Sequence, residues 1–257
     1  MNKGSEIARG KTKILYEHPA DPEQLVVAQM DAITAGDGER RDVIAGKGRL
    51  AALTTARIFR MLNERGVPTH YLAGGEDQDG NEMLVRRCTM IPLEVVVRGV
   101  VAGSFAKRNP ALPRGSLLSP RVVEFFLKDD EHHDPMISPD QIEAQRIASP
   151  EEITTMADLA RAVFERIARA WQRRDVLLVD LKVEFGRITG GKEKDKIVLA
   201  DVIDNDSWRI WPHGREDAML DKQLYRNLDR RDDEALDRVK RAYEEVAEMV
   251  AGFTADG

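Results

Sequence analysis

Val176-Leu177-Leu178-Val179-Asp180-Leu181-Lys182-Val183-Glu184-Phe185-Gly186 is a strand-forming stretch that alternates charge with apolar bulk from Asp180 onward. Side chains alternate across a strand, so Leu181, Val183 and Phe185 point to one face and Asp180, Lys182 and Glu184 to the other. Burying two carboxylates around one ammonium is expensive unless something uses them, which makes the charged face a candidate active-site wall. The same pattern also fits a half-exposed strand carrying a surface ion pair.

The surrounding chain sets bounds on that reading. It has 257 residues, 42% hydrophobic and 33% charged, enough for a large core or two joined lobes. There is no apolar run of membrane-spanning length and no apolar signal core near the start, so a cytoplasmic location and no membrane partner are expected. The net charge of −6 argues against nucleic acid. The single cysteine, Cys88, excludes an internal disulfide and reads as an apolar filler. Arg and Lys nevertheless crowd 9–13, 40–49, 86–87 and 107–114, which suits a small polyanionic ligand or a plain solvated surface.

Strands are expected at Ile7 to Glu17 and Gln24 to Met30, then a helix from Ile44 to Arg65 stopped by Gly66 and Pro68. Strands at 69–73 and 83–88 flank the Gly- and Asp-rich turn 74–81 and complete a small N-terminal lobe. Beyond it, strands are expected at Pro92 to Arg98 and Val122 to Lys128. Ser149-Pro150-Glu151-Glu152 carries the signature of a helix start. The 176–186 strand and one at 197–203, joined through Gly190-Gly191, form an antiparallel hairpin, and a last helix covers 232–251.

The hairpin brings Asp201, expected in its second strand, towards Asp180 and Glu184, a plausible seat for magnesium. Gly4 to Thr12 has the wrong glycine spacing for a P-loop. Arg9 to Tyr16 reads instead as a strand entered through a Gly turn, with Lys11 and Lys13 on a common face, able to lie over phosphates or simply exposed. Glu94 and Arg98 share a strand face near Ala102-Gly103-Ser104, where Arg98 can grip an anion or pair internally with Glu94. A metal site at His132-His133-Asp134 is disfavoured for want of a third ligand.

Taken in order, these segments resemble the SAICAR synthetase (phosphoribosylaminoimidazole-succinocarboxamide synthase) family. The resemblance rests on Gly10-Lys11-Thr12-Lys13, Asp31 to Gly38, Gly46-Lys47-Gly48, Ile91 to Arg98 with Ala102-Gly103-Ser104, Asp134 to Ile137, Leu178 to Gly186, and Leu199-Ala200-Asp201. It implies an α+β, two-lobed ATP-grasp-like (SAICAR synthase-like) fold with antiparallel sheets and flanking helices. Residues 1–88 would form the N-terminal lobe, with nucleotide lid and hinge, and 89–257 the C-terminal lobe binding ribotide, aspartate and magnesium.

The activity implied is an ATP- and magnesium-dependent ligation of an aminoimidazole carboxylate ribotide to L-aspartate through an acyl phosphate. A carboxylate is a poor electrophile, so such a pocket must gather many negative charges among cations. By the same resemblance Lys11, Lys13, Lys128 and the backbone of Arg86 to Cys88 bind ATP, and Glu184 and Asp201 bind magnesium. Arg98, Ser104, Arg209 and Arg226 grip the ribotide, with Asp180 and Lys182 near its imidazole, and Lys182, Asp180 and Arg98 are the candidate catalytic residues. A homo-oligomer is expected. The chain departs from the usual family pattern at Gly99, Val202, Ala51 or Ala52, and Pro212. Gly99 and Val202 keep a divergent ligase or kinase with another acceptor as an alternative, while intact Lys11, Lys182, Glu184 and Asp201 speak against a silent nucleotide binder.

Overall fold

A computed structural model describes residues 1–36, 38–76 and 80–253. Asp37 and residues 77–79 of the expected turn lie outside the described residues. Three antiparallel sheets organise the described residues. The first takes β1 (Glu6–Arg9), β2 (Lys13–Glu17), β3 (Gln24–Gln29), β6 (Tyr71–Gly74) and β7 (Glu82–Arg86), in the order β1-β2-β3-β7-β6. Strands β4 (Ala32–Ala35) and β5 (Arg40–Val43) pair with each other. The third sheet orders β10 (Met136–Ile137), β9 (Leu117–Leu127), β8 (Cys88–Val100), β11 (Val176–Ile188) and β12 (Ile197–Ala200), with β13 (Trp208–Pro212) also on β11. The helices are α1 (Lys47–Glu64), α2 (Gly103–Arg108), α3 (Pro139–Ala144), α4 (Pro150–Gln172), α5 (Gln223–Arg226) and α6 (Asp233–Val250). No helix among the described residues is long and apolar enough to cross a membrane.

Periodicity explains the packing. On β8 and β11 the odd-numbered residues Val95, Val97, Leu181, Val183 and Phe185 are buried against Met156, Val163, Phe164 and Ile167 of α4. The expected cap of α4 is present: Ser149 Oγ accepts from Glu152 N–H while the Glu152 carboxylate accepts from Ser149 N–H. Leu25, Val27, Met83 and Val85 of the first sheet pack on Ala52, Ala56 and Phe59 of α1, and the same apolar cluster continues into the third sheet. The two sheets are stitched where His70 N–H donates to Leu199 O at 2.8 Å and Leu199 N–H to Pro68 O at 2.9 Å. A second cluster joins α6 to α1 through Leu50, Val239 and Tyr243.

Three expectations need correction. The single strand Ile7 to Glu17 is a hairpin, because Gly10 N–H donates to Lys13 O at 2.8 Å and reverses the chain at Gly10-Lys11-Thr12. Lys11 therefore sits in the turn and Lys13 starts β2, so they do not share a strand face. Asp201 lies one residue past β12, with φ 62° in the left-handed region that ends the strand.

Candidate active site

The charged face of β11 is one row of a cross-strand grid. Asp180 stands opposite Arg98, Lys182 opposite Val96, and Glu184 opposite Glu94, while Val96 faces Glu124 on β9. Two glutamates directly opposed would repel. Lys182 resolves this diagonally: its Nζ pairs with Glu94 and lies 3.7 Å from Glu184 Oε1. Burial works against the Lys182 charge, yet Glu94 and Glu184 raise its pKa above the ordinary lysine value. Arg98 does not pair with Glu94. Its Nε donates to Glu124 at 2.9 Å, its Nη1 to Asp180 at 2.8 Å, and Nη2 lies 3.4 Å from Ser104 Oγ. Arg209, opposite Asp180 on β13, donates to the same carboxylate.

This face borders a cavity of about 680 Å³. Its other side comes from the first sheet: Lys11 and Lys13 line it, with Lys128 and Asp201 from the third. Lys13 pairs with Asp201, and Lys128 Nζ donates to Glu184 at 2.5 Å. Burial opposes ionisation of Glu184, but Lys182, Lys128 and Lys13 hold it below the usual carboxylate range. Burial pushes the Lys13 ammonium down to about 8, against the pull of Glu184 and helped by Lys128 and Lys182. Lys11, at the hairpin tip, reaches Asp130 at 2.8 Å.

The floor of the cavity was not legible in the sequence. Asp206 accepts from Lys222 Nζ at 2.9 Å and from the Tyr243 hydroxyl, with Lys47 Nζ at 3.9 Å. Burial opposes its ionisation, but Lys47, Lys222 and Tyr243 lower its pKa. Asp204 beside it moves the other way, raised by burial and then by Asp206. The signal available was Asp204-Asn205-Asp206-Ser207 set between Ile203 and Trp208, two acids inside an apolar stretch. Lys47 is placed by Asp31, whose carboxylate accepts from Gly46 N–H at 3.0 Å and Gly48 N–H at 2.9 Å at the start of α1. Gly48 is required there, since a Cβ would stand 2.7 Å from Gln29 O.

Of the sequence-derived site residues, Lys11, Lys13, Arg98, Ser104, Lys128, Asp180, Lys182, Glu184, Asp201, Arg209 and Arg226 all line the cavity. Arg86 and Cys88 are not among its lining residues. Arg86 donates to Thr69 O and pairs with Glu193, and the half-buried Cys88 thiol is pushed up to about 11 by burial. His132 sits on a short 3-10 turn, with Nδ1 2.7 Å from Asp129, and no cluster of three metal-ligating side chains occurs among the described residues. The family departures fall largely outside the cavity. Ala51 and Ala52 are buried in α1, Pro212 ends β13, and Gly99 faces α4, where a Cβ would meet Phe164 Cζ at 2.7 Å. Val202 alone of these lines the cavity.

Fold and cavity together define a mixed α+β protein whose antiparallel sheets direct lysines, arginines and carboxylates into one cleft, suited to several anionic groups held close together. Relatives give that class a family. The SAICAR synthetase family model matches residues 6–249, and the chain belongs to that family. It is 52% identical over 248 residues to phosphoribosylaminoimidazole-succinocarboxamide synthase of Roseiflexus sp. (strain RS-1), covering 96% of this chain and 97% of that one. A SAICAR synthetase solved in complex with ADP superposes with a TM-score of 0.83 at 37% identity, covering 96% of this chain and 98% of that one. The synthase of Ehrlichia chaffeensis gives a TM-score of 0.83 at 28% identity with the same coverage.

Proposed function

We propose that this chain joins the carboxylate of an aminoimidazole carboxylate ribotide to the amine of L-aspartate with cleavage of ATP, the ligase step of purine biosynthesis. The observation that carries the reading is one cavity holding a lysine-rich half and an arginine-serine half, on a chain that shares half its residues with a named synthase. The alternative acceptor is not favoured, since the departures that prompted it lie mostly away from the cavity.

In this reading the ribotide carboxylate oxygen bonds to the terminal phosphorus of ATP as the bond to ADP breaks. The aspartate amine then attacks the acyl carbon, phosphate leaves and the nitrogen loses a proton, giving SAICAR, ADP and phosphate. Lys11, Lys13 and Lys128 bind the nucleotide phosphates, with the backbone of Arg86 to Cys88 at the base. Arg98, Ser104, Arg209 and Arg226 bind the ribotide. Lys182 and Asp180 stand at the reacting carboxylate, where the ammonium stabilises charge that grows in the transition state.

Glu184 and Asp201 suit magnesium by donor chemistry: both are carboxylates at the cleft, and Glu184 is held ionised by its lysines. Magnesium commonly takes only one or two protein carboxylates, so the absence of a larger cluster among the described residues is no obstacle. When bound, it would neutralise phosphate charge and polarise the transferred group.

We extend the proposal to an ATP-grasp-like, two-lobed arrangement. Residues 1–88 serve as lid and hinge, and 89–257 bind ribotide, aspartate and magnesium. The enzyme is read as a cytoplasmic homo-oligomer, open to fractionation and sedimentation. The deciding assay is ADP release with ribotide present, with and without aspartate, followed by product analysis. Aspartate-dependent formation of the succinocarboxamide supports the reading, and ATP binding without ribotide binding overturns it.

A further inference from the structure

Arg98 is gripped from the flank of its own sheet face, beyond the cavity lining, as well as from within the cavity. On that flank stands Glu124, diagonal to Arg98 across β8 and β9 on the same face and absent from the cavity lining. One Glu124 oxygen accepts from Arg98 Nε at 2.9 Å, and the other from Arg108 Nη2 at 2.5 Å, at the end of α2. The Phe126 ring lies about equally far from both guanidinium carbons, at 5.9 and 6.0 Å. On the cavity side Asp180 bridges Arg98 to Arg209. Arg108, Glu124, Arg98, Asp180 and Arg209 thus form one chain of alternating charge, running from a partly exposed arginine into the cleft.

Two consequences follow from that order. A guanidinium has a fixed fork of five N–H groups, and here Nε and Nη1 are committed to carboxylates. Nη2, beside Ser104 Oγ, is the remaining edge, so the direction in which Arg98 offers a hydrogen bond is set by Glu124. Glu124 would also cancel part of the Arg98 charge were its own not shared with Arg108. Arg108 therefore governs how much positive charge Arg98 shows to an anion it never touches.

We infer that Glu124 is a positioning residue for the ribotide, fixing the orientation of Arg98, and that Arg108 acts on the same site only through Glu124. The inference rests on the assignment of Arg98 to the ribotide. Steady-state kinetics of E124Q, R108Q and the double variant, with ribotide, ATP and aspartate varied in turn, test it. E124Q replaces the charge-assisted bond to Nε with a weaker neutral one, and the loosened orientation of Arg98 should outweigh the charge it regains, raising the ribotide KM about tenfold with kcat and the ATP KM within about twofold. R108Q should raise the ribotide KM by about threefold, and the double variant should be no worse than E124Q, since the two act in series.

Additive effects, an equal rise in the ATP KM, or an unchanged ribotide KM would each overturn the inference. Should E124Q not fold, R108Q decides alone, because its side chain is one-third exposed. A selective rise in ribotide KM then supports the inference, and no rise sinks it. Wild-type turnover, measured alongside, separates this failure from failure of the ligase reading itself.

Discussion

The wall of the cavity and its floor hold comparable charges but assemble them differently. On the wall, Glu94, Arg98, Asp180, Lys182 and Glu184 come from residues an even number of positions apart on two adjacent strands, so the strand period alone brings them to one face. On the floor, Asp206 meets Lys47 from the start of α1, Lys222 from the turn before α5 and Tyr243 from the middle of α6. A wall of this kind keeps its geometry as long as the sheet register holds. The floor depends on the docking of α6 against α1, so its integrity reports on tertiary packing.

The comparison predicts that substitutions on the cavity face of the wall damage chemistry, while substitutions on the floor or at the back of the wall damage stability. Glu184→Gln or Asp201→Asn should produce the largest effect, a loss of magnesium-dependent ADP release on the order of a hundredfold or more with the circular dichroism unchanged. Near-normal turnover in both would remove the metal assignment. Gly99→Asn should come next, destabilising the fold by about 2 kcal/mol, because the new side chain meets Phe164 at the back of the wall. Denaturant unfolding measures this, and Phe164→Val in the same background should recover part of the loss.

Arg98→Lys keeps the charge but loses the fork, and calorimetry should find ribotide affinity down about tenfold with nucleotide affinity unchanged. A fall in nucleotide affinity instead would exchange the two halves of the cavity. Tyr243→Phe removes one donor from the buried Asp206 and should cost about 1 kcal/mol of stability while kcat changes little. A selective loss of kcat would make the floor part of the chemistry and erase the contrast.

The smallest effect is in pH. His70, packed edge-on to Phe59, is pushed down to about 3 by burial, then by Lys13 and Arg86. Its folded pKa lies below its unfolded value near 6.5, so the neutral ring's contribution is complete above 6.5 and is lost as pH falls towards 3. Thermal unfolding between pH 7 and 5 should therefore show a shallower loss in His70→Phe than in the wild type.

The alternation from Asp180 to Phe185, the paired signals at Ser149 and Glu152, and the apolar spacing of α1 and α4 were enough to locate the main elements, because each is a local consequence of period or capping. The Gly10-Lys11-Thr12 reversal was harder to read. Strand-forming residues flank it on both sides, and the Gly10 to Lys13 hydrogen bond with the β1–β2 ladder decides that the chain turns back. Asp201 was assigned to the right hairpin but to the wrong backbone state, since a left-handed aspartate leaves no mark in hydropathy.

By itself, the sequence determined which face of β11 carries charge, which family motifs the chain contains, and that its cations suit a small anion, all properties of spacing and residue type. Tertiary structure alone decided that Glu124 stands beside Arg98, that Gly99 makes room for Phe164, and that Tyr243 reaches Asp206. Those contacts join residues far apart in the chain, and their partners are selected by sheet register and helix docking, which no local pattern encodes.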